Sequence, residues 1–194
     1  TEKMNYYLSG TYTDQEGVVK GDDYDRTVLT ARIQTDITNW LQVGGQVNYA
    51  YNDYSGPSVY DLYQAIRLSP YGRAERADGG GVEKFPVNEG IYRINPLWNV
   101  ESGTIDDHDT YSTVSMKGHA LVKCPWIEGL TYRLNGSYSI ENIERDYFTH
   151  EGYYVKEGTG DDRYSESAVS DYLASANGYS ARTKNTSWVL DNII

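Results

Sequence analysis

Hydrophobic and polar positions alternate along five stretches of this chain. Met4, Tyr6, Leu8, Gly10 and Tyr12 share one parity, with Asn5, Tyr7, Ser9, Thr11 and Thr13 on the other. A period of two is the signature of a β-strand with two unlike faces. Residues 26–37 repeat it, setting Leu29, Ala31, Ile33 and Ile37 against Arg26, Thr30, Arg32, Gln34 and Asp36. Residues 41–53 set Leu41, Val43, Val47, Tyr49 and Tyr51 against Gln42, Gln46, Asn48 and Asn52. The pattern returns over 110–123, where Val114, Met116, Ala120 and Val122 oppose Thr113, Ser115, Lys117 and His119. Over 130–147, Leu130, Tyr132, Leu134, Tyr138 and Ile140 oppose Thr131, Arg133, Asn135, Ser137, Ser139 and Glu141. A sixth stretch, 186–194, is apolar enough for a strand, but its alternation is ambiguous.

The connections carry as much information as the strands. Residues 14–25, 54–109 and 148–185 are polar and acidic, whereas 38–40 and 124–129 are short. Long and short connections therefore take turns, which puts every long loop at one end of the strands and every tight turn at the other. Outer-membrane β-barrels are built on that rhythm. Several stretches also exceed the ordinary strand and approach the roughly 9–11 residues that a tilted membrane-crossing strand needs. Trp40 and Trp126 sit at the tight turns, where an aromatic girdle would lie. The competing architecture is a soluble β-sandwich, which also yields period-two strands. It requires Leu29, Ile33, Val43 and Val47 to converge between two sheets, whereas a barrel requires them on the outside.

One short helix is expected inside the first large loop. Val59, Leu62, Tyr63 and Ile66 fall on one helical face, Ser58 with Asp61 can cap it, and Pro70 stops it. Packing against its own loop is sufficient reason for those residues.

Composition sharpens this picture. The chain has 20 Tyr and 4 Trp but only 2 Phe, so its aromatic rings are mostly amphipathic and suited to boundaries between apolar and wet surroundings. With 28 acidic against 17 basic side chains the net charge is -11, and no basic stripe of the kind nucleic acid needs is present. The single cysteine, Cys124, rules out an internal disulfide. No apolar run is long enough for a transmembrane helix, and barrel strands do not produce such runs. The first residues do not read as a secretory signal, which an outer-membrane protein needs, so the stretch is expected to be internal to a longer chain.

Candidate chemistry is sparse. His108, His119 and His150 lack metal-ligand spacing. Asp106, Asp107 and Asp109 could offer carboxylate oxygens to calcium, although a solvated charge run is the ordinary reading. Gly79, Gly80 and Gly81 before Lys84 lack the ending of a phosphate loop. No catalytic residue or cofactor is expected. Binding has better support: Tyr54, Tyr60, Tyr63, Tyr71, Tyr92 and Trp98 lie in the first large loop, with Arg67 and Arg73 among them. Tyr153 and Tyr154 lie in the second. Such rings can stack on sugars or grip peptides, while packing of the loops is the plainer account of each.

Asn5-Tyr6-Tyr7-Leu8-Ser9-Gly10-Thr11-Tyr12 followed by Asp14-Gln15-Glu16-Gly17 resembles the barrel of SusC/RagA-like TonB-dependent transporters of Bacteroidota. So do Trp40-Leu41-Gln42-Val43-Gly44, Asn95-Pro96-Leu97 and Gly129-Leu130-Thr131-Tyr132. The resemblance implies an all-β, antiparallel transmembrane barrel segment, about six strands of a 22-stranded wall, with residues 1–194 inside one barrel domain and the plug elsewhere. It also implies nutrient uptake across the bacterial outer membrane, with glycan or peptide oligomers as cargo. The partners it implies are a SusD-like surface lipoprotein and TonB, the latter through parts outside this chain. The tight turns would then be periplasmic and the long loops extracellular. Outer-membrane lipid would meet the apolar face, while Arg26, Arg32, Gln34, Asp36, Lys117, His119, Arg133 and Glu141 would face inward. The alternative function is a soluble, Tyr-rich carbohydrate-binding module.

Overall fold

A computed structural model describes residues 4–57, 65–66, 68–87, 95–101, 103–150 and 177–194. Six strands follow one another: β1 (Met4–Glu16), β2 (Asp23–Asp36), β3 (Leu41–Asp53), β4 (Ile105–Lys123), β5 (Thr131–Thr149) and β6 (Asn177–Ile193). Each pairs antiparallel with the next, in the order β1-β2-β3-β4-β5-β6. A one-turn helix, α1 (Trp98–Glu101), lies in the long connection between β3 and β4.

Register decides what the alternation means. In an antiparallel pair, residues directly opposite share a face, so one slipped residue would mix the two sets. No slip occurs. Leu8 pairs with Ala31, Ala31 with Val47, Val47 with Met116, Met116 with Tyr138, and Tyr138 with Trp188. One face of all six strands is therefore apolar. The other carries Arg32, Gln46, Lys117 and Ser137 in a single row.

The apolar face is left open. Among the described residues no large side chain is fully buried, and Leu8 (79%), Leu29 (49%), Ile33 (49%) and Val47 (44%) are exposed. They do not converge between two sheets, so the sandwich alternative fails. The fold is an all-β, antiparallel segment of the kind that builds a barrel wall, with its hydrophobic face exposed.

The apolar band has a limited height. On β4 it runs from Val114 to Val122 and on β5 from Tyr132 to Ile140, each the length a tilted strand needs to cross a bilayer core. Beyond it, toward the long loops, the same face turns polar. The transition row is Tyr12, Thr27, Tyr51, Ser112, Asn142 and Lys184, with two tyrosines at the boundary where amphipathic rings belong.

Two expectations need correction, and one open pattern is resolved. β1, β2, β4 and β6 continue past the alternating stretches, so the first connection shrinks from 14–25 to 17–22 and is comparable in length with the turn at 124–130. The long–short rhythm holds only for the later connections. Secondly, Asp106, Asp107 and Asp109 belong to β4 and not to a loop. Where both faces of a strand meet water, the ladder of backbone hydrogen bonds continues while polarity no longer alternates. Thirdly, β6 places Trp188 and Leu190 on the apolar face and Val189 and Asp191 on the polar one, which resolves its pattern. Of the expected loop helix, Ala65 and Ile66 are helical and the rest lies outside the described residues.

Candidate functional site

Ladder bonds continue from the strands into the base of the long connections. The Tyr54 amide donates to the Asp109 carbonyl at 2.8 Å, the Gly56 amide to Asp107 at 3.1 Å, and the His150 amide to Thr104 at 2.8 Å. This carries Tyr54 past the end of β3 in ordered pairing and sets its ring on the polar face of the sheet. There it stacks on Tyr24 of β2, with centroids 4.8 Å apart, and meets the edge of Tyr111 of β4 at 5.5 Å. The Arg145 guanidinium of β5 lies 5.3 Å from the Tyr111 ring centre and bonds both the Tyr111 hydroxyl and Asp109. Loss of hydration among these rings, then the neighbouring Tyr24 hydroxyl, raises the Tyr54 hydroxyl above the usual phenol range. A depression of about 340 Å³ opens beside them, lined by Asn52, Tyr54, Asp109, Tyr111, Thr113 and Glu141. Aromatic faces, a guanidinium and carboxylates around one open hollow can hold a polar ring-bearing ligand. The Tyr147–Tyr179 stack, at 5.9 Å, extends the aromatic row toward β6.

The other expected residues are scattered. Tyr71 is 95% exposed. The Arg73 amide donates to Pro86 at 2.7 Å in a small two-stranded turn closed by the Glu75–Val82 bridge. Within that turn, the Gly80 amide and then the Arg76 guanidinium hold the Asp78 carboxyl below the ordinary carboxylate range. Trp98 opens α1, with the Lys84 ammonium 5.4 Å from its ring. Tyr60, Tyr63, Arg67, Tyr92, Tyr153 and Tyr154 lie outside the described residues. Of the expected loop aromatics and arginines that are described, the structure brings Tyr54 into the cluster, and Asp109 joins it as the partner of Arg145. Its partners Tyr24, Tyr111 and Arg145 were not singled out beforehand. Parity was the available signal, since Tyr111 and Arg145 fall on the polar parity of their strands.

Asn95 organises the connection that carries Trp98. Its amide side chain donates to the Ala74 carbonyl at 3.1 Å and accepts from the Leu97 amide at 3.1 Å. Its backbone amide donates to Lys84 at 3.0 Å and its carbonyl accepts from Trp98 at 2.9 Å. With 6% exposure it is a buried residue whose polar groups are all engaged. An ion pair between Lys20 and Glu101 then ties α1 to the β1–β2 turn.

The aspartate run is split by the strand that contains it. Asp106 points to the apolar-band face and pairs with His150 at 2.6 Å, while Asp107 and Asp109 point to the other face. Asp109 is held by Arg145 at 3.2 Å. Among the described residues no three His, Cys, Asp or Glu side chains gather closely enough to hold a metal ion.

No protein-family model matches the chain. Three curated proteins of Formosa agariphila are similar to it. TonB-dependent receptor P26 is 25% identical over 198 residues, which is 100% of this chain and 18% of that protein. TonB-dependent receptor P3 is 24% identical over 158 residues, 74% of this chain and 15% of that protein. TonB-dependent receptor P39 is 22% identical over 148 residues, 76% of this chain and 13% of that protein. The chain thus spans less than a fifth of the length of the curated relatives it matches. Over most of its length, and in an all-β architecture that suits a barrel wall, the chain is TonB-dependent-receptor-like.

Proposed function

We propose that this chain forms part of the wall of an outer-membrane importer of the SusC/RagA type, driven by TonB. One observation carries the reading: across six strands in unbroken register, an exposed apolar face of bilayer height backs onto a polar face. Only a surrounding of lipid on one side and water or protein on the other makes that arrangement favourable. Similarity to TonB-dependent receptors supplies the energy source in this proposal. The sequence motifs at Asn5–Gly17 and Asn95–Leu97 supply the SusC/RagA type, with its 22-stranded barrel, single barrel domain and SusD-like lid.

In this reading Tyr54, Tyr24, Tyr111 and Arg145 receive glycan or peptide oligomers at the extracellular mouth. Binding there and on the plug precedes a TonB-driven rearrangement of the plug, and no bond of the cargo is broken. The test is uptake of fluorescent oligosaccharides and oligopeptides by cells that carry or lack the gene for the whole receptor. Uptake of one class is expected to require both the receptor and TonB. Equal uptake without either, or recovery of the receptor in the soluble fraction, would refute the proposal.

A further inference from the structure

Toward the long connections several basic side chains pair with acids: Lys20 with Glu101, Arg76 with Asp78, Arg145 with Asp109, and Arg182 with Asp146. Within the height of the apolar band, on the polar face, Arg32, Lys117 and Arg133 have no carboxylate at ion-pair distance among the described residues. Arg32 has one weak bond, to Gln34 at 3.5 Å.

Arg32 and Lys117 line a trough, and Arg133 stands one same-face position beyond its lining residue Asn135 on β5. A depression of about 370 Å³ is lined by Arg32, Gln46, Lys117, His119, Asn135 and Asp191, among others. A second, of about 270 Å³, is lined by Asn5, Tyr6, Tyr7, Arg32 and Gln34 and shares Arg32 with the first. Together they cross the polar face from β1 to β6. Glycine at 44 makes room in the floor: a Cβ there would stand 2.3 Å from His119 Cε1, so the imidazole lies flat over the backbone. The single acid of the trough, Asp191, lies at its β6 end beside Asn135.

We infer that this trough binds an anionic oligosaccharide, one bearing carboxylate or sulfate groups. The inference rests on the import reading and names the cargo class for it. Uncompensated cations against a low-dielectric membrane wall produce a focused positive field that draws an anion. Guanidinium groups match carboxylate and sulfate in planar, two-point geometry. Between the cations stand amides and hydroxyls, Gln34, Gln46, Asn135 and Ser137, which both donate and accept and so suit sugar hydroxyls. An acidic peptide fits less well. Apolar lining is confined to Val189 at one end and the Tyr6 and Tyr7 rings at the other, and the trough crosses the face of the sheet, not a strand edge that could pair with a peptide backbone.

The experiment is calorimetric titration of the whole receptor in detergent with four probes of equal length. These are an oligogalacturonate, a sulfated galactose oligomer, the neutral galactose oligomer and an oligoglutamate. At least one anionic sugar is expected to bind about ten-fold or more tighter than both the neutral sugar and the peptide, with affinity falling as salt rises. Arg32→Gln, Lys117→Gln and Arg133→Gln should each weaken the anionic sugar several-fold and leave the neutral one unaffected, with melting temperatures unchanged. Arg182→Gln, on the opposite face, should alter neither. Equal affinity for charged and neutral sugars, or preference for oligoglutamate, would overturn the inference. So would variants that lose thermal stability and not anionic affinity, since the cations would then face an acidic surface of the protein itself. Receptor- and TonB-dependent uptake of the neutral sugar alone would keep the import reading while removing this one.

Discussion

Two single positions are held by contacts tight enough to test. Asn95 uses both ends of its amide and both backbone groups to join Ala74, Lys84, Leu97 and Trp98. Asn95→Ala removes the acceptor of the half-buried Leu97 amide and one of the two donors to the Ala74 carbonyl, which keeps the Glu83 amide, a cost of about 0.5–1.5 kcal/mol confined to the connection. Limited proteolysis of the whole receptor should then cleave within 68–104 faster, while the barrel melts as before; unchanged cleavage would show that Asn95 is not the organiser. Gly44 is set by His119, whose ring leaves no room for a Cβ. Gly44→Ala should destabilise the receptor by about 1–3 kcal/mol through forced repacking, and the penalty should vanish in a His119→Ala background. Urea unfolding in lipid vesicles measures both, and equal penalties in the two backgrounds would rule out the steric account.

At the scale of the strand, burial has the opposite sense from a soluble protein. Met116 and Ser115 are neighbours on β4, yet Met116 belongs to the exposed apolar band and Ser115 bonds Ser139 across the polar face at 3.1 Å. Met116→Lys should cost about 2–4 kcal/mol, the range for a lysine facing mid-bilayer lipid. Ser115→Lys, with water or protein before it, should cost less than about 1 kcal/mol. The difference in unfolding free energy between the two variants decides the matter, and equal costs would mean that neither face meets lipid. Strand interiors were legible in the sequence because side chains alternate across a strand that has one apolar and one polar face. Strand ends were not, since Asp14–Glu16, Asp23–Asp25 and Asp106–Asp109 hold their ladders in water with no polarity pattern to betray them.

For the molecule as a whole, among the described residues β1 and β6 each present an unpaired edge and the apolar face has no cover. Open edges and bare hydrophobic surface drive association. Residues 1–194 produced alone should therefore form oligomers or aggregates in buffer, read by analytical ultracentrifugation. A monodisperse monomer with a cooperative melt would contradict the barrel-wall architecture. The mouth of the site was legible only in part. Tyr54 was visible as a loop aromatic, but Tyr24 and Tyr111 reach it across strand pairings that join residues far apart in the chain.

The amino-acid sequence by itself determined the two-faced strands and their parity, because side chains alternate across a strand whatever it pairs with. It also determined the surplus of acid and the amphipathic aromatics. Tertiary structure alone decided the register that joins six half-patterns into one apolar and one polar surface. It decided where the strands stop, and which tyrosines meet Tyr54. It also separated the cations with acidic partners from Arg32, Lys117 and Arg133. Those outcomes depend on which backbone groups bond across the sheet, and pairing between distant residues leaves no local mark on the chain.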